Sequence, residues 1–183
     1  MRVISGTAKG RRLHAVPGDL TRPITDRVKE ALFNIIGPDV RDSSWWDVFA
    51  GTGAVAIEAL SRGAAFARLT DLNKGPLEII KRNLELTGLS ARAEARRADA
   101  YALLASAPDR QFDYVYIAPP QYKGLWLRAL GDLDANPTWL DPDGWVVVQI
   151  DPKELAPEPL HHLELFDQRR YGTTLLNFYT RSE

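Results

Sequence analysis

The stretch Trp45 to Glu58, WWDVFAGTGAVAIE, constrains this chain more than any other. Its apolar run ends at Ala50 in a Gly51-Thr52-Gly53 turn and reopens as Ala-Val-Ala-Ile-Glu, the pattern of strand, tight glycine turn and helix. Such a turn suits a nucleotide-like ligand. The first glycine allows backbone angles that a side chain would forbid, the second lets the main chain approach a ligand, and the new helix presents free N–H groups. Gly51-x-Gly53-x-x-Ala56 also satisfies the dinucleotide fingerprint.

Asp47, with Phe49 beside it at the strand end, separates the possible ligands. A carboxylate there repels a pyrophosphate and attracts the ammonium of a bound amino-acid moiety. S-adenosylmethionine carries that ammonium and a sulfonium besides. The alternative is an ordinary strand-to-helix turn with a surface aspartate.

With 183 residues, 45% of them apolar, the chain suits one well-formed core, and residues 1–183 read as a single domain with a small appendage at residues 1–20. A net charge of -1 gives no global field for nucleic acid, so any such surface must be local. The absence of cysteine excludes disulfides, a thiolate zinc site and a cysteine nucleophile, and His14, His161 and His162 have no metal-ligand spacing. No metal is expected. No apolar run has signal-peptide or membrane-span length, so a cytoplasmic protein without a membrane partner is expected.

Residues 2 to 16 read as a basic hairpin, with Arg2-Val3-Ile4 and Leu13 to Val16 as arms and Gly6 to Gly10 as the connection. Lys9, Arg11 and Arg12 make its loop positive, suited to gripping phosphates or simply to facing solvent. Thr25 can cap a helix in which Val28, Ala31, Leu32, Ile35 and Ile36 recur until Gly37-Pro38 stops it. Its opposite face and the preceding turn carry Arg22, Arg27 and Lys29. Arg22 and Arg27 read as phosphate or cofactor-edge contacts, or as partners for Asp26 and Glu30.

A second strand, Ala65 to Thr70, closes on Asp71, where an acid in nucleotide-binding sheets accepts from a ribose. A helix from Asn73 and Pro76 runs to Gly88, and a third strand at about residues 91–95 precedes Asp99. That aspartate suits a helix cap or an acceptor for the adenine amine. The fourth strand, Phe112 to Ile117, runs into Ala118-Pro119-Pro120-Gln121-Tyr122. The prolines fix the backbone and leave the carbonyls before them free to accept. Beyond a turn at Asp141-Pro142-Asp143-Gly144, Trp145 to Ile150 reads as a strand. Two further runs flanking Tyr171-Gly172 read as a closing antiparallel hairpin.

Arg2-Val3-Ile4-Ser5-Gly6 with Lys9-Gly10-Arg11-Arg12-Leu13, then Arg22 to Asn34 (RPITDRVKEALFN), then Asp47 to Gly53 (DVFAGTG), together resemble the bacterial 16S ribosomal RNA guanine-N2 methyltransferases of the RsmD family. The likeness runs almost end to end, and the second motif is the most discriminating. It implies a Rossmann-like class I methyltransferase, α/β, with a mostly parallel seven-stranded sheet closed by an antiparallel C-terminal hairpin and a small basic N-terminal hairpin extension. It further implies S-adenosylmethionine as cofactor, with Asp47, Phe49, Gly51 and Gly53 near the methionine moiety, Asp71 near the ribose and Asp99 near the adenine. The implied partner is 16S ribosomal RNA or an assembling small ribosomal subunit, held by Lys9, Arg11, Arg12, Arg22 and Arg27. At the catalytic turn Ala118 stands where the family has Asp or Asn, followed by Pro119, Pro120 and Gln121, with an aromatic only at Tyr122.

These readings lead to methyl transfer onto the exocyclic amine of a guanine, the flipped base stacking on Tyr122 and recovering about 1–3 kcal/mol. The alternatives are a methyltransferase for another amine (a DNA base, a glutamine side chain or a small molecule), a cofactor-binding RNA module that has lost its chemistry at Ala118, and a nicotinamide oxidoreductase.

Overall fold

The computed structural model describes residues 1–18 and 23–183. The Thr25 hydroxyl accepts from the Val28 N–H at 3.2 Å and opens α1 (Asp26–Ile36), which buries Val28, Leu32, Phe33 and Ile36 and stops at Gly37, φ +64°, before Pro38. Then follow β1 (Ser44–Asp47), α2 (Ala54–Ser61), β2 (Phe66–Asp71), α3 (Lys74–Thr87), β3 (Ala93–Arg97), α4 (Ala100–Ala105), β4 (Phe112–Ile117), α5 (Leu125–Ala135), β5 (Leu140–Ile150), β6 (Leu163–Tyr171) and β7 (Thr174–Arg181).

The strands form one sheet in the order β3-β2-β1-β4-β5-β7-β6. The first five are parallel, and β7 inserts antiparallel between β5 and β6. Because side chains alternate along a strand, the adjacent Trp45 and Trp46 enter opposite cores. Trp45 stacks on Tyr114 (4.7 Å) and Phe33 (5.3 Å) on one face, and Trp46 packs on Trp139 (4.8 Å) on the other. Two sequence boundaries move. The third strand starts at Ala93 because Ser90–Arg92 takes a 3-10 turn. Residues 141–144 do not break the chain but lie within β5, where the register to β4 shifts between Phe112 and Tyr114.

The N-terminal arm keeps the hairpin's course with little of its ladder. One bridge, Arg2 to Arg12, is accompanied by Val3 N–H to the Arg11 carbonyl and Gly10 N–H to the Val3 carbonyl, both 2.9 Å. Its Val3, Ala8 and Leu13 join the core. Several of the arm's other backbone groups are satisfied by buried side chains of the helices beneath it, the rest of its bonds running to backbone carbonyls and to Asp26. Ile4 N–H donates to both Glu58 carboxylate oxygens (3.0 and 3.1 Å), and Ala8 N–H donates to the Ser61 hydroxyl (2.9 Å). The Asn83 amide exchanges two bonds with His14 and gives a third to the Thr52 carbonyl (2.9 Å). Gly6, φ +87°, crosses so close to α2 that a Cβ would sit 1.8 Å from the Ser61 carbonyl oxygen, so glycine is required there.

Lys29, expected on the basic face of α1, is instead buried, its Nζ donating to the Arg2 carbonyl at 2.6 Å. Burial lowers its pKa, against the pull of Glu58 and Asp26. It is part of the arm's seat and presents no charge to a polyanion.

Candidate active site

The parallel strands end along one edge, and the order reverses at β1, with β2 on one side and β4 on the other. In open α/β sheets this switch point forms a ligand crevice. The loop after β1 is strung between those neighbours: Val48 N–H bonds the Tyr116 carbonyl (3.0 Å), Ala50 N–H the Thr70 carbonyl (2.8 Å), and Gly53 N–H closes the turn on Ala50 (2.7 Å). Gly51, φ +56°, has open space where a Cβ would stand. Gly53, φ +81°, has a different reason: a Cβ there would lie 2.8 Å from Leu69 Cδ2, so this glycine lets α2 sit on β2, and it lines neither cavity described next.

Two cavities meet at this loop. The larger, about 270 Å³, is lined by Asp71, Asp99, Tyr101, Leu72 and Pro120 among others. The smaller, about 70 Å³, is lined by Asp47, Tyr116, Gln149, Pro119 and Gln121, with Pro23 and Ile24 closing it from the entry to α1. Phe49, Gly51 and Ala118 line both and form the partition between them. Asp71 accepts from Gly51 N–H (3.2 Å) and Asn73 N–H (2.9 Å), which fixes its carboxylate at the cavity edge. Asp99 caps α4 through the Tyr101 N–H (2.9 Å) and also lines the larger cavity.

Asp47 is the electrostatic centre of the cleft. It is 2% exposed, and its Oδ1 has no hydrogen-bond partner among the described residues. Burial, reinforced by Asp71 and opposed by the Ala56 N–H, pushes its pKa up to about 8. In register with it stands Tyr116, whose hydroxyl donates to Gln149 Oε1. Burial and the nearby Asp47 raise the Tyr116 phenol well above its ordinary pKa. Tyr116 and Gln149 escaped the sequence reading, although a polar residue at each position of a buried strand end was the available signal.

Tyr122 does not enter either cavity. It sits at φ +65° and is 63% exposed, its N–H donating to Glu154 (2.7 Å) and its hydroxyl to Asp151 (2.6 Å). In this conformation it is clasped to the segment after β5 and not poised to stack on a base within the cleft. Lys9, Arg11, Arg12 and Arg27 are exposed and make no ion pair among the described residues, whereas Arg2 is engaged by Asp26. Arg22 lies outside the described residues.

A buried carboxyl with one oxygen unpartnered, an adjoining glycine without a side chain, and two carboxylates along the next cavity fit a ligand with a cationic end and a hydroxylated, base-bearing end. Sheet order and cleft together define a Rossmann-like methyltransferase fold. The solved structure of an Escherichia coli protein, provisionally described as a methyltransferase, matches at TM-score 0.87 and 31% identity, over 99% of this chain and 97% of that one. A Salinibacter ruber RNA methyltransferase solved with S-adenosyl-L-homocysteine shares the fold at TM-score 0.63 and 17% identity, over 87% of this chain and 93% of that one.

The family model described as conserved hypothetical protein 95 matches residues 1–180. Ribosomal RNA small subunit methyltransferase D of Escherichia coli (strain K12) is 30% identical over 181 residues, 99% of this chain and 90% of that protein. A Bacillus subtilis (strain 168) protein, YlbH, provisionally described as an rRNA methyltransferase, is 39% identical over 183 residues, 99% of each. The chain belongs to the RsmD-like family.

Proposed function

We propose that the protein transfers a methyl group from S-adenosylmethionine to the exocyclic N2 amine of a guanine in 16S ribosomal RNA, free or within an assembling small subunit, the 183 residues acting as one catalytic unit. The observation that carries this reading is the pair of cavities divided at Phe49, Gly51 and Ala118, with the unpartnered Asp47 Oδ1 on the smaller one. The relatives described as ribosomal RNA methyltransferases supply the substrate class.

In this reading Asp47 faces the ammonium of the cofactor, Asp71 accepts from the ribose and Asp99 from the adenine amine. Held in this way, the cofactor would supply an electrophilic methyl on a positively charged sulfur, with a neutral thioether as the leaving group that takes the bonding electron pair. A guanine amine is a poor nucleophile because its lone pair is delocalised into the ring. The carbonyls of Ala118 and Pro119 accept its N–H bonds and aim the nitrogen across the partition. Nitrogen forms the new bond to carbon, and one amine proton leaves to solvent. Lys9, Arg11, Arg12, Arg22 and Arg27 hold the RNA backbone without reading sequence.

Incubation with cofactor labelled in the methyl group, against fractionated ribosomal RNA and small-subunit precursor particles, followed by nucleoside analysis, tests this directly. Label in N2-methylguanosine supports the proposal. Label in another base, in protein or in a small molecule selects another amine. No transfer by the parent, together with transfer by Ala118→Asp, establishes a cofactor-binding RNA module without chemistry.

A further inference from the structure

Strand β5 carries Trp145-Val146-Val147-Val148-Gln149-Ile150, a carboxamide on a buried central strand that is otherwise apolar here. An amide buried without hydrogen bonds is costly, so its presence calls for a partner or a ligand. Asp47 is in register with Tyr116, Tyr116 with Val147, and Gln149 is two residues further along, so all three polar groups share one face of the sheet. The Tyr116 hydroxyl donates to Gln149 Oε1 and thereby fixes which end of the carboxamide turns away from it. The other end, Nε2, donates to no described residue, and it is not sealed in the protein interior. Gln149 lines the smaller cavity together with Asp47 and with Ala118, Pro119 and Gln121, on the far side of the partition from Asp71 and Asp99.

We infer that Gln149 determines specificity for the methyl acceptor at the end of the smaller cavity formed by Ala118, Pro119 and Gln121, its Nε2–H donating to the ring nitrogen beside the amine that receives the methyl, with Tyr116 as the residue that positions it. This rests on the function proposed above. The guanine N2 amine is flanked by N3, an acceptor, and by N1–H, a donor. A carboxamide presenting N–H pairs with the first and meets the second with like polarity. The base is therefore admitted with N3 toward β5 and its amine toward the Ala118 and Pro119 carbonyls. The missing polar side chain at position 118 is offset by a group on the neighbouring strand.

Gln149→Met keeps length and bulk while removing the donor, and Tyr116→Phe keeps the carboxamide while releasing its orientation. The experiment measures kcat and KM for the parent and both variants on an RNA carrying guanosine or 3-deazaguanosine at the methylated position, with S-adenosylhomocysteine affinity by calorimetry alongside. The parent is expected to lose ~10- to 100-fold in kcat/KM on the 3-deaza RNA. Gln149→Met is expected to show that loss already on ordinary RNA and little further loss on the 3-deaza RNA, at unchanged S-adenosylhomocysteine affinity. Tyr116→Phe is expected to fall between them. Equal 3-deaza penalties in parent and Gln149→Met overturn the inference and leave the proposed function standing. A parent that methylates no RNA overturns both.

Discussion

The seat beneath the N-terminal arm and the cleft at the end of β1 both bury polar side chains, but they differ in how far the chain itself supplies the partners. Under the arm, Lys29, Glu58, Ser61 and Asn83 are nearly or completely inaccessible, and each has hydrogen-bond partners on the arm, with Glu58 also bonded to Arg62 at 3.2 Å. In the cleft, Asp47 Oδ1 is buried without a partner, and Gln149 uses only its oxygen, its Nε2 lying outside the sealed interior. An unmade buried hydrogen bond costs about 1–3 kcal/mol, so a fold keeps one chiefly where a ligand completes it. Arg62 Nε in the seat is also buried without a partner among the described residues, so the contrast lies in what is left open: a guanidinium nitrogen packed over Phe33 under the arm, and a carboxyl oxygen that lines a cavity in the cleft.

The sharpest way to break this contrast is to unsaturate the seat. Glu58→Ala removes the acceptor of Ile4 N–H and strands Arg62, and is expected to cost about 3–5 kcal/mol in urea unfolding. A loss below 1 kcal/mol would mean that the arm is held by its apolar residues alone.

Adding a polar group to the cleft is expected to act on rate and not on stability. Ala118→Asn places an amide on the partition and is expected to raise methyl transfer, up to about 100-fold in single-turnover assays, at little change in cofactor affinity. An unchanged rate would show that backbone carbonyls and Gln149 already supply what the amine needs.

Asp47→Asn tests the half-satisfied carboxyl from two sides. Its folded pKa, about 8, lies above the ordinary 3.8. The neutral form therefore contributes stability fully present below pH 3.8 and lost as pH rises through 8. Without cofactor, the variant is expected to be more stable than the parent at pH 8, by about 1–3 kcal/mol, while binding S-adenosylmethionine ~10- to 100-fold more weakly. Between those pH values, cofactor binding to the parent should release a proton, read by calorimetry in buffers of different ionisation enthalpy. Asp71→Ala is expected to weaken binding through the same cavity system.

The smallest expected effect lies on the arm's outer surface. Neutralising Arg11 and Arg12 should leave stability unchanged, weaken RNA binding across sequences alike, and flatten the salt slope by about 0.7–0.9 per lost phosphate contact. An unchanged slope would reduce these arginines to solvated charges.

The sequence alone determined what depends on neighbours in the chain. The Thr25 cap, the glycine turn after Asp47, the Asp99 cap and the closing hairpin at Tyr171-Gly172 are all local chemistry, and all were legible. The basic character of residues 2–12 was legible too, because charge is composition. Only the tertiary structure decided which polar residues find partners, since those partners lie far away in the chain. Lys29 has the spacing of a surface lysine, yet the Arg2 carbonyl 27 residues upstream draws it inward. Tyr122 has the sequence position of a base-stacking ring, yet Asp151, 29 residues on, holds it outside the cleft. Gln149 reads as a lone amide in an apolar strand, and only the β4–β5 register turns one end of it to Tyr116 and the other to the cavity. Hydrophobic periodicity assigns a residue to a face, but whether a polar group on that face is satisfied depends on strand register and docking angles that the periodicity does not encode.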